Sequence, residues 1–109
     1  MLVVDDERGI VTLLSDLLAD EGYRVVSAFD GISALQRIRD EQPDLVLADI
    51  MMPRLDGLSL LNRIREEHGA VPVVLMSAAV TPITREAPYI AKPFDLDELL
   101  DLVDAQFDD

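Results

Sequence analysis

Five short apolar runs, separated by stretches with helical spacing, limit what this 109-residue chain can fold into more than any other feature. The runs are Leu2 to Val4, Arg24 to Ala28, Leu45 to Ala48, Val73 to Met76 and Tyr89 to Ala91. Their alternation with helical segments predicts β-α-β units, and hence a parallel sheet with helices on both faces. In the first helical segment Ile10, Leu13, Leu14, Leu17 and Leu18 recur at helical intervals, and Gly22 follows where a helix commonly ends. A second helix follows Asp30-Gly31, carries Ala34, Leu35 and Ile38, and must stop before Pro43. A third carries Leu58, Leu61 and Ile64 and ends near Gly69. The closing helix has Leu96, Leu99, Leu100, Val103 and Phe107 on one stripe, with Asp95 and Glu98 spaced as a capping box.

One unit is irregular. Only 11 residues, two of them Pro82 and Pro88, lie between Ser77 and Tyr89. A parallel crossover needs about a dozen, so the helix there must be short, with Thr81 as its cap and Pro82 as its first residue. The length suits one domain, residues 1–109, with nothing left over for an output domain.

Half of the residues are apolar and 28% are charged, as in folded soluble proteins. Twenty-two acids against 9 bases give a net charge of -13, a field that repels nucleic acid and anionic lipid. No apolar run approaches the roughly 18 residues of a membrane span, and the start lacks the pattern of a signal peptide, so the expected location is cytoplasmic. Without cysteine, thiol nucleophiles and thiolate metal sites are excluded, leaving oxygen ligands and His68 for any metal.

In an open parallel sheet, ligands bind beyond the carboxyl ends of the strands. The residues there are Asp5 and Asp6 after the first run, Asp49 after the third, Ser77 after the fourth and Lys92 after the fifth. Three neighbouring carboxylates repel one another and stay ionised only if cations offset them. Oxygen ligands with room for waters and phosphate oxygens suit magnesium. Lys92 is the only lysine among nine cations, and it stands where a compact point charge serves phosphoryl transfer. A carboxylate can be the nucleophile, with aspartyl phosphate as its product.

The motifs Val3-Val4-Asp5-Asp6-Glu7, Asp49-Ile50-Met51-Met52-Pro53-Arg54-Leu55-Asp56-Gly57, Met76-Ser77-Ala78 and Lys92-Pro93-Phe94 resemble those of bacterial response-regulator receiver domains, in order and over nearly the whole chain. That resemblance implies an α/β fold of three layers, a doubly wound, flavodoxin-like five-stranded parallel sheet of order 2-1-3-4-5. It implies Asp49 as phosphoacceptor, Asp6 as a direct magnesium ligand, Asp5 as a ligand through water and Met51 as a ligand through its backbone carbonyl. Ser77 would be the switch hydroxyl, Lys92 the phosphate partner, Tyr89 the aromatic that changes rotamer, and Lys92-Pro93 a cis peptide. The partners implied are a histidine kinase or phosphotransfer protein and a downstream effector, with homodimerisation open. Such a domain is a phosphoacceptor rather than an enzyme.

Plainer readings stand beside these. Asp5-Asp6-Glu7 alone reads as helix-capping acids, Asp30-Gly31 as a turn pair, Tyr89 as packing, Met51 and Met52 as core filler, and His68 as a solvated cation at a helix end. Two rival functions remain. An aspartate-dependent phosphatase commonly carries a second acid two residues after its nucleophile, where this chain has Met51. A pseudo-receiver would serve as an interaction module without phosphorylation.

Overall fold

The sheet is built from three- to five-residue strands whose side chains alternate between two cores. In the computed structural model, which describes residues 1–52, 55–77, 87–92 and 94–107, these are β1 (Leu2–Val4), β2 (Val26–Ala28), β3 (Val46–Asp49), β4 (Val73–Ser77) and β5 (Tyr89–Ala91). They pair in parallel in the order β2-β1-β3-β4-β5. The registers place Val3 opposite Leu47, Leu47 opposite Val74 and Met76 opposite Ile90. The expected α/β doubly wound sheet and its strand order are therefore present.

Because successive strand residues face opposite ways, Leu2, Val4, Val46, Ala48 and Leu75 point to one layer, while Val3, Leu47, Val74 and Met76 point to the other. Helices α2 (Gly31–Glu41) and α3 (Gly57–Glu67) cover the first face with Ala34, Leu35, Ile38, Leu60, Leu61 and Ile64. Helices α1 (Arg8–Asp20) and α4 (Leu96–Phe107) cover the second with Val11, Leu14, Leu18, Leu99 and Val103. No helix among the described residues is long and apolar enough to cross a membrane.

Caps set where the helices begin. Asp30 accepts a hydrogen bond from Ser33 N at 2.8 Å, Asp56 from Ser59 N at 2.8 Å, and Asp95 from Glu98 N at 2.8 Å. The expected cap at Asp95 is thus formed, and Asp30, read from sequence as only part of a turn, is a cap as well.

Other expectations need correction. Leu13 is 57% exposed, and its place in the core is taken by Val11. Phe107 is also exposed, at 42%, and stacks on Tyr23, with ring centroids 6.3 Å apart. His68 caps the end of α3 through its backbone, but its Nε2 is shielded from solvent rather than bathed in it. The short helix expected after Thr81 and the cis peptide at Pro93 lie outside the described residues.

Candidate functional site

The carboxyl edge of the sheet gathers polar residues, whereas the strand interiors are apolar but for Ser27. Asp5 follows β1, its backbone N–H donating to Ala28 O at 3.3 Å and so continuing the ladder toward β2. Asp49 and Ser77 are the last residues of β3 and β4 rather than the first beyond them. Lys92 follows β5, where its N–H donates to Ser77 O at 2.7 Å. Strand register alone therefore brings these four residues together at one edge.

The packing is close. A Cβ on Gly57 would stand 2.5 Å from Asp49 O and 2.7 Å from Ile50 Cα, so only glycine lets the start of α3 press on the end of β3. Gly57 N–H also donates to Ile50 O at 2.9 Å, closing the loop after Asp49 on itself. A Cβ on Gly31 would run into Leu55, whose Cβ lies 2.6 Å from that position, which joins the α2 start to the same loop. Neither contact is visible in the periodicity of the sequence.

Asp5 is fully buried, Asp49 and Ser77 are nearly so, and Asp6 is exposed. One carboxylate oxygen from each of Asp5, Asp6 and Asp49 lies within 4.8 Å of the others. Three hard oxygen donors at that spacing fit a divalent cation such as magnesium. Lys92 Nζ donates to Asp5 Oδ2 at 2.7 Å and lies 3.5 Å from Asp49 Oδ2. Asp5 Oδ1 accepts from Glu7 N at 3.0 Å, and Asp49 Oδ1 from Met51 N at 3.4 Å. Glu7 is the N-cap of α1 but makes no side-chain capping bond, so the acid run does not serve as a simple cap.

The electrostatics follow from burial. Desolvation, reinforced by the charge of Asp5, pushes the Asp49 carboxyl above its usual range, and Lys92 and the Met51 N–H only partly offset this. Burial pulls Lys92 down, but its hydrogen bond to Asp5 and the charges of Asp49 and Asp5 outweigh that, and the ammonium ends above its ordinary value. Three carboxylates thus face one firmly protonated lysine.

Tyr89 is half-buried against the core beneath α2 and α3, opposite Leu75 in the sheet. Met51 turns a 70% exposed side chain outward while its backbone N–H reaches Asp49, and Met52 enters the core. The filler reading thus holds for Met52 and fails for Met51. A contact that sequence reasoning missed joins Arg8 to the Phe29 ring, 4.2 Å from guanidinium carbon to centroid.

Residues 1–104 match the family described as the response regulator receiver domain. The chain belongs to that family. A curated relative, the response regulator MprA of Mycobacterium ulcerans, is 38% identical over 92% of this chain and 46% of its own length. MprA of Mycobacterium tuberculosis matches to the same degree, so the chain spans about half the length of the curated relatives it matches. Among solved structures, the receiver domain of NtrX from Brucella abortus is 43% identical with a TM-score of 0.87, covering 96% of this chain and 95% of that one. The response regulator TrrA from Thermotoga maritima, solved in complex with Mg(2+)-BeF, is 34% identical with a TM-score of 0.89 and covers 96% of both chains. This receiver domain thus shares its fold with those proteins, and its own acid cluster sits at the carboxyl edge of its sheet.

Proposed function

We propose that this receiver domain is a phosphorylation switch of a two-component phosphorelay, with Asp49 accepting a phosphoryl group from a histidine kinase or a histidine phosphotransfer protein. The observation that carries the reading is the placement of Lys92 Nζ between two buried carboxylates, 2.7 Å from Asp5 and 3.5 Å from Asp49. A carboxylate raised by burial and held beside a fixed cation suits a nucleophile that must shed its own solvation before attack. In the transfer, the N–P bond of a phosphohistidine breaks as an Asp49 Oδ–P bond forms, and the freed imidazole leaves with the electron pair.

Asp6 would hold magnesium directly, Asp5 through water, Asp49 through its carboxylate and Met51 through its backbone carbonyl. Magnesium, when bound, supplies neutralisation of the phosphoryl oxygens. Lys92 acts as the second cation, exchanging part of its attachment to Asp5 for a phosphoryl oxygen. The Ser77 hydroxyl donates to the phosphoryl group, and Tyr89, two positions before the Ala91 that pairs with Ser77, turns with it. The output is a shift between two populations of the surrounding loops, read by a protein effector or a second copy of the domain in the cytoplasm. The domain is a phosphoacceptor and not an enzyme, and the exposed Met51 puts no second acid where an aspartate-dependent phosphatase would carry one.

Incubation with magnesium and a small phosphodonor should give a single phosphoryl adduct, stable in acid and labile in base, that chelation of the metal prevents. No mass gain, or an undiminished gain in Asp49→Asn, would overturn the reading.

A further inference from the structure

Arg8 opens α1 as an exposed residue with its guanidinium carbon 4.2 Å from the Phe29 ring centroid, within the range of about 6 Å where a cation is attracted to a ring face. Both partners flank the acid cluster. Arg8 follows Glu7, whose N–H donates to Asp5 Oδ1, and Phe29 follows Ala28, whose carbonyl accepts from Asp5 N. Phe29 is half-buried against the core beneath α1 and α4, so its ring is a fixed support. Local helix energetics do not explain this cation. The N-terminus of a helix already carries partial positive charge, and the first turn of α1 holds no acid to offset it.

The charge of Arg8 is opposite in sign to that of the pocket beside which it begins α1. Three carboxylates face one lysine there, in a chain of net charge -13 that repels anionic phosphodonors. A cation anchored at the rim draws an anion in and, by the same field, weakens the hold of the carboxylates on a divalent cation. We propose that Arg8, anchored on Phe29, is a positioning residue that biases the acid pocket toward anionic phosphodonors at the expense of divalent-cation affinity. The proposal rests on Asp49 as phosphoacceptor. With acetyl phosphate, the acyl O–P bond breaks as Asp49 Oδ–P forms, and acetate departs with the electron pair.

The test measures magnesium affinity by calorimetry and, at saturating magnesium, the rate of phosphorylation by acetyl phosphate, for wild type, Arg8→Gln, Arg8→Lys and Phe29→Leu. A unit charge within about one Debye length of the carboxylates changes divalent-cation affinity roughly two- to fourfold at low ionic strength. Arg8→Gln should therefore bind magnesium more tightly by about that factor. Its second-order phosphorylation constant should fall by a similar factor, through a higher apparent KM for the donor at unchanged maximal rate. Both differences should vanish in ~1 M salt, Arg8→Lys should stay near wild type, and Phe29→Leu should shift the same way by less. A merely structural role would weaken both properties together and would not respond to salt. Joint weakening, two unchanged constants, or equal behaviour of Arg8→Lys and Arg8→Gln would overturn the proposal. An unphosphorylated wild type would instead remove the switch reading, and the positioning role with it.

Discussion

Two hydrogen bonds of nearly equal length sit at different places in this receiver domain. Lys92 Nζ reaches Asp5 at 2.7 Å, and Tyr23 Oη donates to Asp104 at 2.6 Å. The first is enclosed at the carboxyl edge of the sheet, whereas the second lies on the surface, where α4 meets the turn after α1. Length does not distinguish them, so the difference must come from what water can do when the bond is broken. At Tyr23, water replaces either partner at little cost. At Lys92, removing the cation leaves a fully buried carboxylate and a nearly buried one without their offset.

The comparison breaks first at Lys92. Lys92→Ala should lower stability by about 2–3 kcal/mol in the absence of divalent cations, since it strips one partner from a largely buried pair. Chemical denaturation with and without magnesium checks this, and added magnesium should recover part of the loss by supplying charge to the same carboxylates. A loss no larger than that of a surface ion pair would show that Asp5 is solvated after all.

Asp49→Asn should act in the opposite direction and raise the melting temperature of the metal-free protein by a few degrees at neutral pH. The sign follows from the raised Asp49 carboxyl. A folded-state value above the unfolded one means that stability present below pH 3.8 is lost as the pH rises through the higher folded value. The gain from the neutral amide should accordingly be absent below pH 3.8 and grow above it, which a series of thermal melts across pH would follow.

How much of this was legible in the sequence depends on how local the cause is. The run from Leu2 to Val4 and that from Tyr89 to Ala91 are strands with the expected ends, and Asp95 caps α4, because strand period and capping act within a few residues. Leu13 lies outside the core for a geometric reason. At 100° per residue, Val11, Leu14 and Leu18 fall within about 60° of arc, and Leu13 stands roughly 130° from its middle. A stripe of apolar residues at helical intervals that includes Leu13 is wider than one sheet face can cover. Strand-end logic assembled Asp5, Asp49, Ser77 and Lys92, since a parallel sheet aligns its carboxyl ends whatever the loops do. The close approaches of Gly31 and Gly57, the turned-out Met51 and the Arg8–Phe29 contact depend on how separate loops meet, and no local pattern encodes that.

The surface bond supplies the smallest effect. Tyr23→Phe should cost no more than about 0.5 kcal/mol, since the hydroxyl and Asp104 both return to water. The hydrogen bond to Asp104, with burial and that residue's charge behind it, pushes the Tyr23 phenol up to about 12. Because the folded value is raised, the small stability it contributes is present below pH 10 and lost as the pH rises through about 12. Ultraviolet absorbance should show one phenol ionising near that value in the folded protein, and Asp104→Asn should return it toward 10.

The central claim is that Asp49, the carboxylate that ends β3, and no other acid at the edge, carries the phosphoryl group. Borohydride reduction of the phosphorylated protein, followed by peptide mass spectrometry, tests it directly, because an acyl phosphate at an aspartate is reduced to homoserine. The account predicts homoserine at position 49 alone. Homoserine at Asp5, Asp6 or Asp56, or none in a protein that has taken up phosphate, would contradict it.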